Sequence, residues 1–200
     1  MQRTGIFAGD DPVRLVESWM NAAAEQEIAD PNAAALATVD RAGMPNVRII
    51  LIKGIEADAF VFYTNYEGTK AGELAATPKA ALSLHWKTLK RQVRIRGTVE
   101  KEDGPIADAY YESRALQSRL GAWASPQSRA IGSRDELLAL VETASQTHGD
   151  NPPRPPHWGG FRVTPLEIEF WADGDFRLHD RYFWRRETPR SDWSVTRLAP

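Results

Sequence analysis

Short apolar segments separated by turn residues recur along most of this chain, and they limit its fold more than any other feature. Segments of this kind, bounded by Gly, Pro, Asn or Asp, are typical of β-strands. They cover residues 34–39, 47–52, 60–64, 80–86, 92–100, 168–171, 176–183 and 193–198. Polar and apolar side chains alternate from Gln92 to Val99, which predicts one exposed and one buried face. The pattern predicts a mainly β fold, a small β-barrel with peripheral helices.

Helical patterns interrupt the strands at four places. The first helix begins at Pro12, where Asp10 or Asp11 can cap it. Two more helices are expected over 69–76 and 105–114. The last follows an S-x-x-E capping box, Ser133 to Glu136, and ends before His148.

Length and composition place limits on the class of protein. A chain of 200 residues with 42% hydrophobic residues is expected to form one domain over 1–200. Within it, residues 1–10 are expected to be flexible, and the proline-rich segment 151–156 is expected to be a surface loop. The absence of cysteine excludes disulfides and thiolate chemistry. A net charge of −2 argues against nucleic acid or an anionic membrane as partner. With no signal peptide or membrane span evident, a cytoplasmic protein is expected.

The segment RLHDR, residues 177–181, carries the densest cluster of cationic side chains. On a strand, Arg177, His179 and Arg181 would share one face. Such groups repel one another unless an anion or a carboxylate lies among them. An anion site and an ordinary solvated strand face are both compatible with this pattern.

Four other segments carry donors suited to a phosphate. Arg48 and Lys53 flank four aliphatic residues and are expected on opposite faces of a strand. Residues 63–64 lead into Gly68-Thr69-Lys70 at a helix N-terminus, which favours an anion. Tyr110, Arg114 and Ser118 would lie on one face of a continuing helix, and Gln127-Ser128 add polar groups in a loop. Each segment is equally compatible with strand-end charges, a capped turn or an amphipathic helix end.

Several motifs of familiar enzymes are absent from the sequence. There is no P-loop, no G-x-G-x-x-G and no G-x-S-x-G, and the four histidines lack the spacing of metal ligands, so no metal is expected. Many phosphate-type donors without a nucleophile–base pair indicate that a bound cofactor carries the reaction.

Taken together and in order, these segments resemble the pyridoxamine 5′-phosphate oxidase family of FMN enzymes. The matching segments are RIILIK (48–53), FYTN (62–65), WKTLKRQV (86–93), LGAWASPQS (120–128), WGGFRV (158–163), IEFW (168–171), RLHDR (177–181) and RLAP (197–200). The resemblance implies a split-barrel homodimer with FMN at the subunit interface. It also implies oxidation of pyridoxamine or pyridoxine 5′-phosphate to pyridoxal 5′-phosphate. Hydride would pass from C4′ to flavin N5, and O2 would reoxidise the flavin and give H2O2.

The resemblance also implies the role of each matched residue. The implied flavin site comprises Arg48, Ile49, Ile50, Leu51, Ile52, Lys53, Tyr63, Thr64, Thr69, Lys70, Gln92, Gln127, Ser128, Trp171 and Arg181. The implied substrate site comprises Lys53, Tyr110, Arg114, Ser118, Arg177, Leu178 and His179. Arg48 and Lys70 would meet the FMN phosphate. Arg177 and His179 would be the catalytic residues, lying over the pyridine ring near the oxidised carbon.

Two features depart from the family pattern. Thr69 stands where the family often has Arg, and loss of one charged hydrogen bond would weaken FMN binding about tenfold. Residues 1–9 hold no equivalent of the Arg and Tyr that close over the substrate in some members.

Two rival functions stay open at this point. One is a related flavin oxidase acting on another reduced ring, such as a phenazine precursor. The other is a split-barrel protein that binds FMN or haem without turnover. The phosphate-type donors Lys53, Tyr110, Arg114 and Ser118 argue against the first rival, and Arg177 with His179 against the second.

Overall fold

A computed structural model describes residues 3–27 and 29–200, which form nine strands and five helices. The strands are β1 (Ala33–Val39), β2 (Pro45–Leu51), β3 (Gly54–Glu56), β4 (Ala59–Asn65), β5 (Lys79–Trp86), β6 (Arg91–Glu102), β7 (Trp158–Ala172), β8 (Asp180–Arg185) and β9 (Ser194–Leu198). The helices are α1 (Pro12–Gln26), α2 (Thr69–Ala76), α3 (Pro105–Glu112), α4 (Leu116–Ala124) and α5 (Arg134–His148). None of these helices is long and apolar enough to cross a membrane.

All the strands belong to one antiparallel sheet in the order β2-β1-β5-β6-β7-β4-β3, with β8 on β7 and β9 on β8. The long strand β7 organises this sheet. One of its edges pairs with β6, while the other pairs with β4 near Trp158 and with β8 near Trp171. Among the described residues the strand path does not close on itself. The expected dominance of antiparallel strands is confirmed, within a mixed α/β fold.

A proline inside β7 is accommodated by an irregularity in its neighbour. The β6–β7 register shifts between Arg96 and Gly97, directly opposite Pro165. A Cβ at Gly97 would lie 2.0 Å from the Thr164 carbonyl oxygen. Only glycine therefore allows the two backbones to approach this closely.

The core lies between the inward face of the sheet and α1. Asp11 caps α1 by accepting hydrogen bonds from the amides of Val13 and Arg14, as the sequence predicted. Trp19 on this helix packs edge-on against Phe170 of β7, with ring centroids 5.1 Å apart. Phe7, in a 3-10 turn over Gly5–Phe7, packs against the same indole. Met1 and Gln2, also part of the segment expected to be flexible, lie outside the described residues.

Three predicted elements differ from the structure. The helix expected over 105–114 ends at Glu112, and a separate helix α4 follows. Residues 176–179 do not extend β8, because Phe176 and Arg177 have φ angles of 55° and 64°. β7 begins at Trp158, ten residues before the predicted strand.

Candidate functional site

A cavity of about 550 Å³ lies where β2 and β4 meet α2 and the α3–α4 connection. Eleven of the residues that the sequence predicted for the flavin and substrate sites line this cavity: Ile49, Ile50, Leu51, Lys53, Tyr63, Thr64, Lys70, Tyr110, Arg114, Ser118 and Gln127. Donors separated by more than 70 residues in sequence thus share one cavity.

The cavity is cationic. Lys53, Lys70 and Arg114 line it, and no Asp or Glu is among its lining residues. Lys70 donates from Nζ to Gln127 Oε1 at 2.7 Å and to Thr64 Oγ1 at 3.0 Å. Burial, together with the nearby charge of Arg48, lowers the Lys70 pKa. An anion bound here would offset both effects that disfavour the charged ammonium, its desolvation and its repulsion by Arg48.

Arg114 is the least satisfied cation of the cavity. Its Nη1 is buried and has no hydrogen-bond partner among the described residues. Burial lowers the pKa of its guanidinium. Buried donors of this kind are normally paired, so the guanidinium of Arg114 would be stabilised by an anion bound beside it in the cavity.

Aromatic rings form one wall of the cavity. The Tyr63 and Tyr110 rings stack with centroids 4.0 Å apart, and Trp158 lies nearly parallel to both. Burial, with a contribution from Glu56, raises the pKa of Tyr63 to about 12, so this phenol stays protonated at neutral pH. A flat apolar wall beside cationic donors suits a planar ligand that carries an anionic group.

Arg48 lies close to the cavity but is not among its lining residues. Its guanidinium donates to Glu73 Oε2 at 2.9 Å and also contacts Thr38 Oγ1. Glu73 further accepts from Thr38 at 2.5 Å and from Asn46 at 2.9 Å. Although burial opposes it, these hydrogen bonds lower the pKa of Glu73.

Four other predicted residues, Gln92, Trp171, His179 and Arg181, form a second cluster. Gln92, Trp171 and Arg181 are cross-strand neighbours on β6, β7 and β8. Arg181 donates twice to Glu169 Oε1, at 2.9 and 2.7 Å. His179 packs on the Trp171 ring with centroids 4.7 Å apart.

The prediction that Arg177, His179 and Arg181 share one strand face is wrong, because a turn precedes β8. β8 begins at Asp180, so only Arg181 belongs to the strand. Arg177 and Leu178 lie in an exposed turn with left-handed backbone at Phe176 and Arg177. His179 reaches Trp171 from this turn, rather than through the periodicity of a strand.

Other predicted residues lie apart from the cavity. Thr69 is exposed at the first residue of α2 and lies outside the cavity lining. Ile52 is buried in the core, and Ser128 is exposed with φ 66°. The break after Glu112 places Tyr110 and Ser118 on different helices, yet both line the cavity.

Sequence reasoning missed three residues that line the cavity, namely Asn65, Ala115 and Trp158. Asn65 and Trp158 lie inside the segments FYTN and WGGFRV. Trp158 opens β7 directly opposite Asn65 of β4. An aromatic residue at the start of a strand next to two glycines was the available signal.

The two clusters lie at opposite ends of β7. The cavity contains Trp158, whereas the second cluster contains Trp171. These residues are separated by roughly 40 Å along an extended strand at about 3.3 Å per residue. Each cluster therefore forms a separate part of the surface of one chain.

Fold and cavity together define a protein built on one antiparallel sheet, with a cationic, aromatic-walled cavity suited to an anionic, planar small molecule. Residues 20–148 match the family model described as pyridoxamine 5′-phosphate oxidase. Residues 158–200 match the model described as pyridoxine 5′-phosphate oxidase C-terminal dimerisation region. The chain belongs to the pyridoxamine 5′-phosphate oxidase family and is an oxidase.

Relatives of similar length support this membership. A protein of Roseobacter denitrificans named pyridoxine/pyridoxamine 5′-phosphate oxidase is 64% identical, over 100% of this chain and 99% of the relative. One from Cereibacter sphaeroides with the same name is 62% identical over 100% of both chains.

Solved structures share the fold. PhzG from Burkholderia lata 383, in complex with tetrahydrophenazine-1-carboxylic acid, is 30% identical with a TM-score of 0.89, over 96% of this chain and 94% of PhzG. A pyridoxamine 5′-phosphate oxidase-related, FMN binding protein of Nostoc punctiforme has a TM-score of 0.77 at 18% identity, over 95% of this chain and 98% of that protein. The second likeness supports the fold alone.

Proposed function

We propose that this chain uses FMN and O2 to oxidise pyridoxamine 5′-phosphate or pyridoxine 5′-phosphate to pyridoxal 5′-phosphate. The observation that carries the proposal is the cationic cavity, in which Lys53, Lys70 and Arg114 meet without a carboxylate among the lining residues. Both the cofactor and the substrate of this reaction carry a phosphate on a planar ring system. A cavity with separate cations and an aromatic wall fits that pair of ligands.

The residues around Lys70 fit the FMN phosphate. Lys70 lies in the first turn of α2, where free backbone amides add to its charge. A Cβ at Gly68 would lie 2.6 Å from Gln127 Oε1, so glycine keeps this corner open for polar groups. Lys70 would hold the phosphate, with Arg48 adding positive charge from behind. Ile49, Leu51 and Tyr63 would border the flavin ring.

The residues around Arg114 fit the phosphate of the substrate. Arg114 lines the cavity with a guanidinium that is incompletely paired among the described residues, and Tyr110, Ser118 and Lys53 line the same cavity. These donors would fix the substrate at its phosphate end. Holding the phosphate would in turn orient the substrate carbon that is oxidised. Such orientation of the reactants is a large part of the rate enhancement that a redox enzyme provides.

The chain's own residues orient the reactants and hold charge. When bound, FMN supplies the redox chemistry, taking a hydride from the C4′ carbon and delivering electrons to O2 to form H2O2. Arg177 and His179 would lie over the pyridine ring, stabilise charge on it and exclude water. Tyr63 stays protonated at neutral pH, since burial raises its pKa to about 12, and so its hydroxyl would be a neutral donor toward a ligand.

A homodimer would bring the two clusters together. Trp171, His179 and Arg181 of the second cluster belong to the region matched by the dimerisation model, residues 158–200. The sheet face near the cavity is apolar and uncovered, with Val47 and Ile49 exposed by 64% and 66% beside small alanines of β1. A twofold contact through this face would place Gln92, Trp171, Arg181 and His179 of one copy over the cavity of its partner.

Two architectural expectations belong to the same proposal. The branched antiparallel sheet would be a split β-barrel, and residues 1–200 would be a single FMN-binding domain. One apolar core that draws on residues from Phe7 to Trp184 supports the second expectation. A cytoplasmic location stays a prediction from the sequence.

A related oxidase acting on a reduced phenazine precursor is the second candidate, and PhzG is the observation in its favour. PhzG was solved with tetrahydrophenazine-1-carboxylic acid. That ligand carries a carboxylate and no phosphate. The full donor set of Lys53, Tyr110, Arg114 and Ser118 favours the larger charge of a phosphate in this chain.

An anaerobic experiment tests the proposal. The FMN-loaded protein is mixed with pyridoxamine 5′-phosphate, pyridoxine 5′-phosphate or unphosphorylated pyridoxine, and the flavin absorbance is followed. Bleaching by the two phosphorylated compounds, reversed by air with formation of pyridoxal 5′-phosphate, is the expected result. Flavin that stays oxidised with both phosphorylated compounds contradicts the proposal. Bleaching only by a reduced phenazine precursor would favour the second candidate.

A further inference from the structure

Trp158 lines the cavity beside Arg114. Its indole is only 5% exposed, and Arg114 Cζ lies 4.7 Å from the ring centroid. Arg114 itself belongs to the short connection between α3 and α4, outside regular structure. The guanidinium is thus supported by an aromatic face rather than by secondary structure.

The orientation of this indole is fixed from three sides. Its plane is within 8° of the Tyr63 ring and within 10° of the Tyr110 ring, with centroids 5.6 and 6.2 Å away. Tyr111, which is buried, meets it edge-on at 5.2 Å. Backbone pairing of Trp158 with Asn65 of β4 holds the main chain. The ring face offered to Arg114 is therefore rigid.

We propose that Trp158 is a positioning residue for substrate recognition. Its ring holds the Arg114 guanidinium at the cavity, where this cation meets the phosphate of the substrate. This inference rests on the proposed function, because it assigns the substrate phosphate to Arg114. Trp158 does not touch the phosphate but acts through Arg114.

Two physical effects support this role. Burial lowers the Arg114 pKa, so the cation pays a desolvation cost inside the cavity and would otherwise turn toward solvent. The negative face of an indole attracts a guanidinium most strongly where water is excluded. The ring therefore keeps the cation in place before the ligand arrives, which reduces the ordering needed on binding.

The test separates the phosphate from the rest of the ligand. Calorimetry on the FMN-loaded protein measures the Kd of 4-deoxypyridoxine 5′-phosphate and of 4-deoxypyridoxine, which lack the oxidisable group. For Trp158→Leu we expect the phosphorylated ligand to bind about tenfold more weakly, since the cation–π contact is lost. The unphosphorylated ligand should change by less than about twofold, because it makes no use of Arg114. Trp158→Phe, which retains a ring face, should lose only about threefold for the phosphorylated ligand.

A matched control and a double variant sharpen the result. Arg186 Cζ lies 4.4 Å from the Trp193 ring, a similar pair outside the cavity, so Trp193→Leu should leave both Kd values unchanged. Arg114→Ala combined with Trp158→Leu should lose no more than Arg114→Ala alone, because both act through one cation.

Several outcomes would overturn the inference. Equal weakening of both ligands by Trp158→Leu would show a merely structural role, and so would additive losses in the double variant. If Trp158→Leu does not fold, a Trp158→Phe variant with unaltered preference for the phosphorylated ligand overturns it instead. Failure of the proposed function is seen separately, as wild-type protein that binds these ligands but oxidises neither phosphorylated vitamer.

Discussion

Arg48 Nη2 lies 2.9 Å from Glu73 Oε2, and this ion pair joins strand β2 to helix α2 beside the cavity. Glu73 is only 8% exposed and accepts further hydrogen bonds from Thr38 and Asn46. The same helix carries Lys70, whose pKa is lowered in part by the charge of Arg48. Glu73 therefore holds Arg48 just behind the cavity, whereas Lys70 lines the cavity itself.

Glu73→Gln should destabilise the fold, because it leaves Arg48 without its counter-charge. Urea unfolding at pH 7 should give a free energy of unfolding lower by about 1–3 kcal/mol. The exposed pair of Arg14 and Glu17 supplies the control, since solvent screens it and Glu17→Gln should leave the free energy of unfolding unchanged.

The effect of Glu73→Gln should also depend on pH. The Glu73 pKa is lower in the folded protein than its ordinary value of 4.5. The stabilisation from the ionised carboxylate is complete above that value and is lost as pH falls through the folded-state pKa. The difference between wild type and Glu73→Gln should therefore narrow in acid. A difference that is constant from pH 7 to acid pH would argue against an ionised Glu73.

Much of the fold could be predicted from the sequence, because short-range patterns set it. The alternation of polar and apolar side chains predicted strand β6. The capping residue Asp11 followed by Pro12 predicted the start of α1. The length of β7 was underestimated, because Pro165 and two glycines are residues that usually interrupt a strand. The irregularity at Gly97 on the neighbouring strand accommodates that proline. Such compensation between distant segments cannot be read from either one alone.

The sequence predicted many of the residues that line the cavity, but it did not predict how they are arranged in space. Spacing grouped Tyr110 with Arg114 and Ser118, although the helix supposed to align them breaks after Glu112. The partner of Arg48 lies 25 residues away on another element. The stack of Trp158 on Tyr63 and Tyr110 joins three elements, so no local pattern encodes it.

Lys70→Ala should weaken FMN binding by about tenfold, because one charged hydrogen bond to the phosphate is lost. Wild-type affinity should also fall as pH rises through the Lys70 pKa, which burial and Arg48 hold below the ordinary value of 10.5. The sign follows from the charge, since only the protonated ammonium attracts the phosphate. Lys70→Arg should abolish this pH dependence, as a guanidinium stays charged.

Quenching of flavin fluorescence on titration with protein measures these affinities. Lys87→Ala, at an exposed lysine outside the cavity lining, is the matched control and should bind FMN like wild type. An unchanged Kd in Lys70→Ala would remove Lys70 from the proposed cofactor site.

Arg177→Ala should leave FMN bound but impair turnover. The proposed place of Arg177 is over the substrate ring, and loss of about 2 kcal/mol of transition-state stabilisation lowers kcat/KM about thirtyfold. Steady-state kinetics with pyridoxine 5′-phosphate measures the effect, and the flavin content of the purified protein is recorded in parallel. Arg185→Ala, an exposed arginine on β8, should leave both unchanged. An Arg177→Ala protein that purifies without flavin would place Arg177 in the cofactor site instead.

Val47→Asp should separate the proposed dimer. Val47 is 64% exposed on the apolar sheet face, opposite Ala37 of β1, so the substitution does not disturb the core. A carboxylate buried at a subunit contact without a partner costs enough to raise the dimer Kd by tenfold or more, on the order of 2 kcal/mol. Because the two clusters lie at opposite ends of β7, the separated chains should also retain less FMN.

Sedimentation equilibrium and flavin content give the two readouts for this variant. Leu138→Asp is the matched control, since Leu138 is 52% exposed on α5, away from the sheet face, and its substitution should leave mass and flavin content unchanged. Monomeric Val47→Asp that keeps its full flavin would show that one chain suffices for the cofactor, and that the second cluster has another role. Val47→Asp that remains a flavin-loaded dimer would place the subunit contact on a different surface.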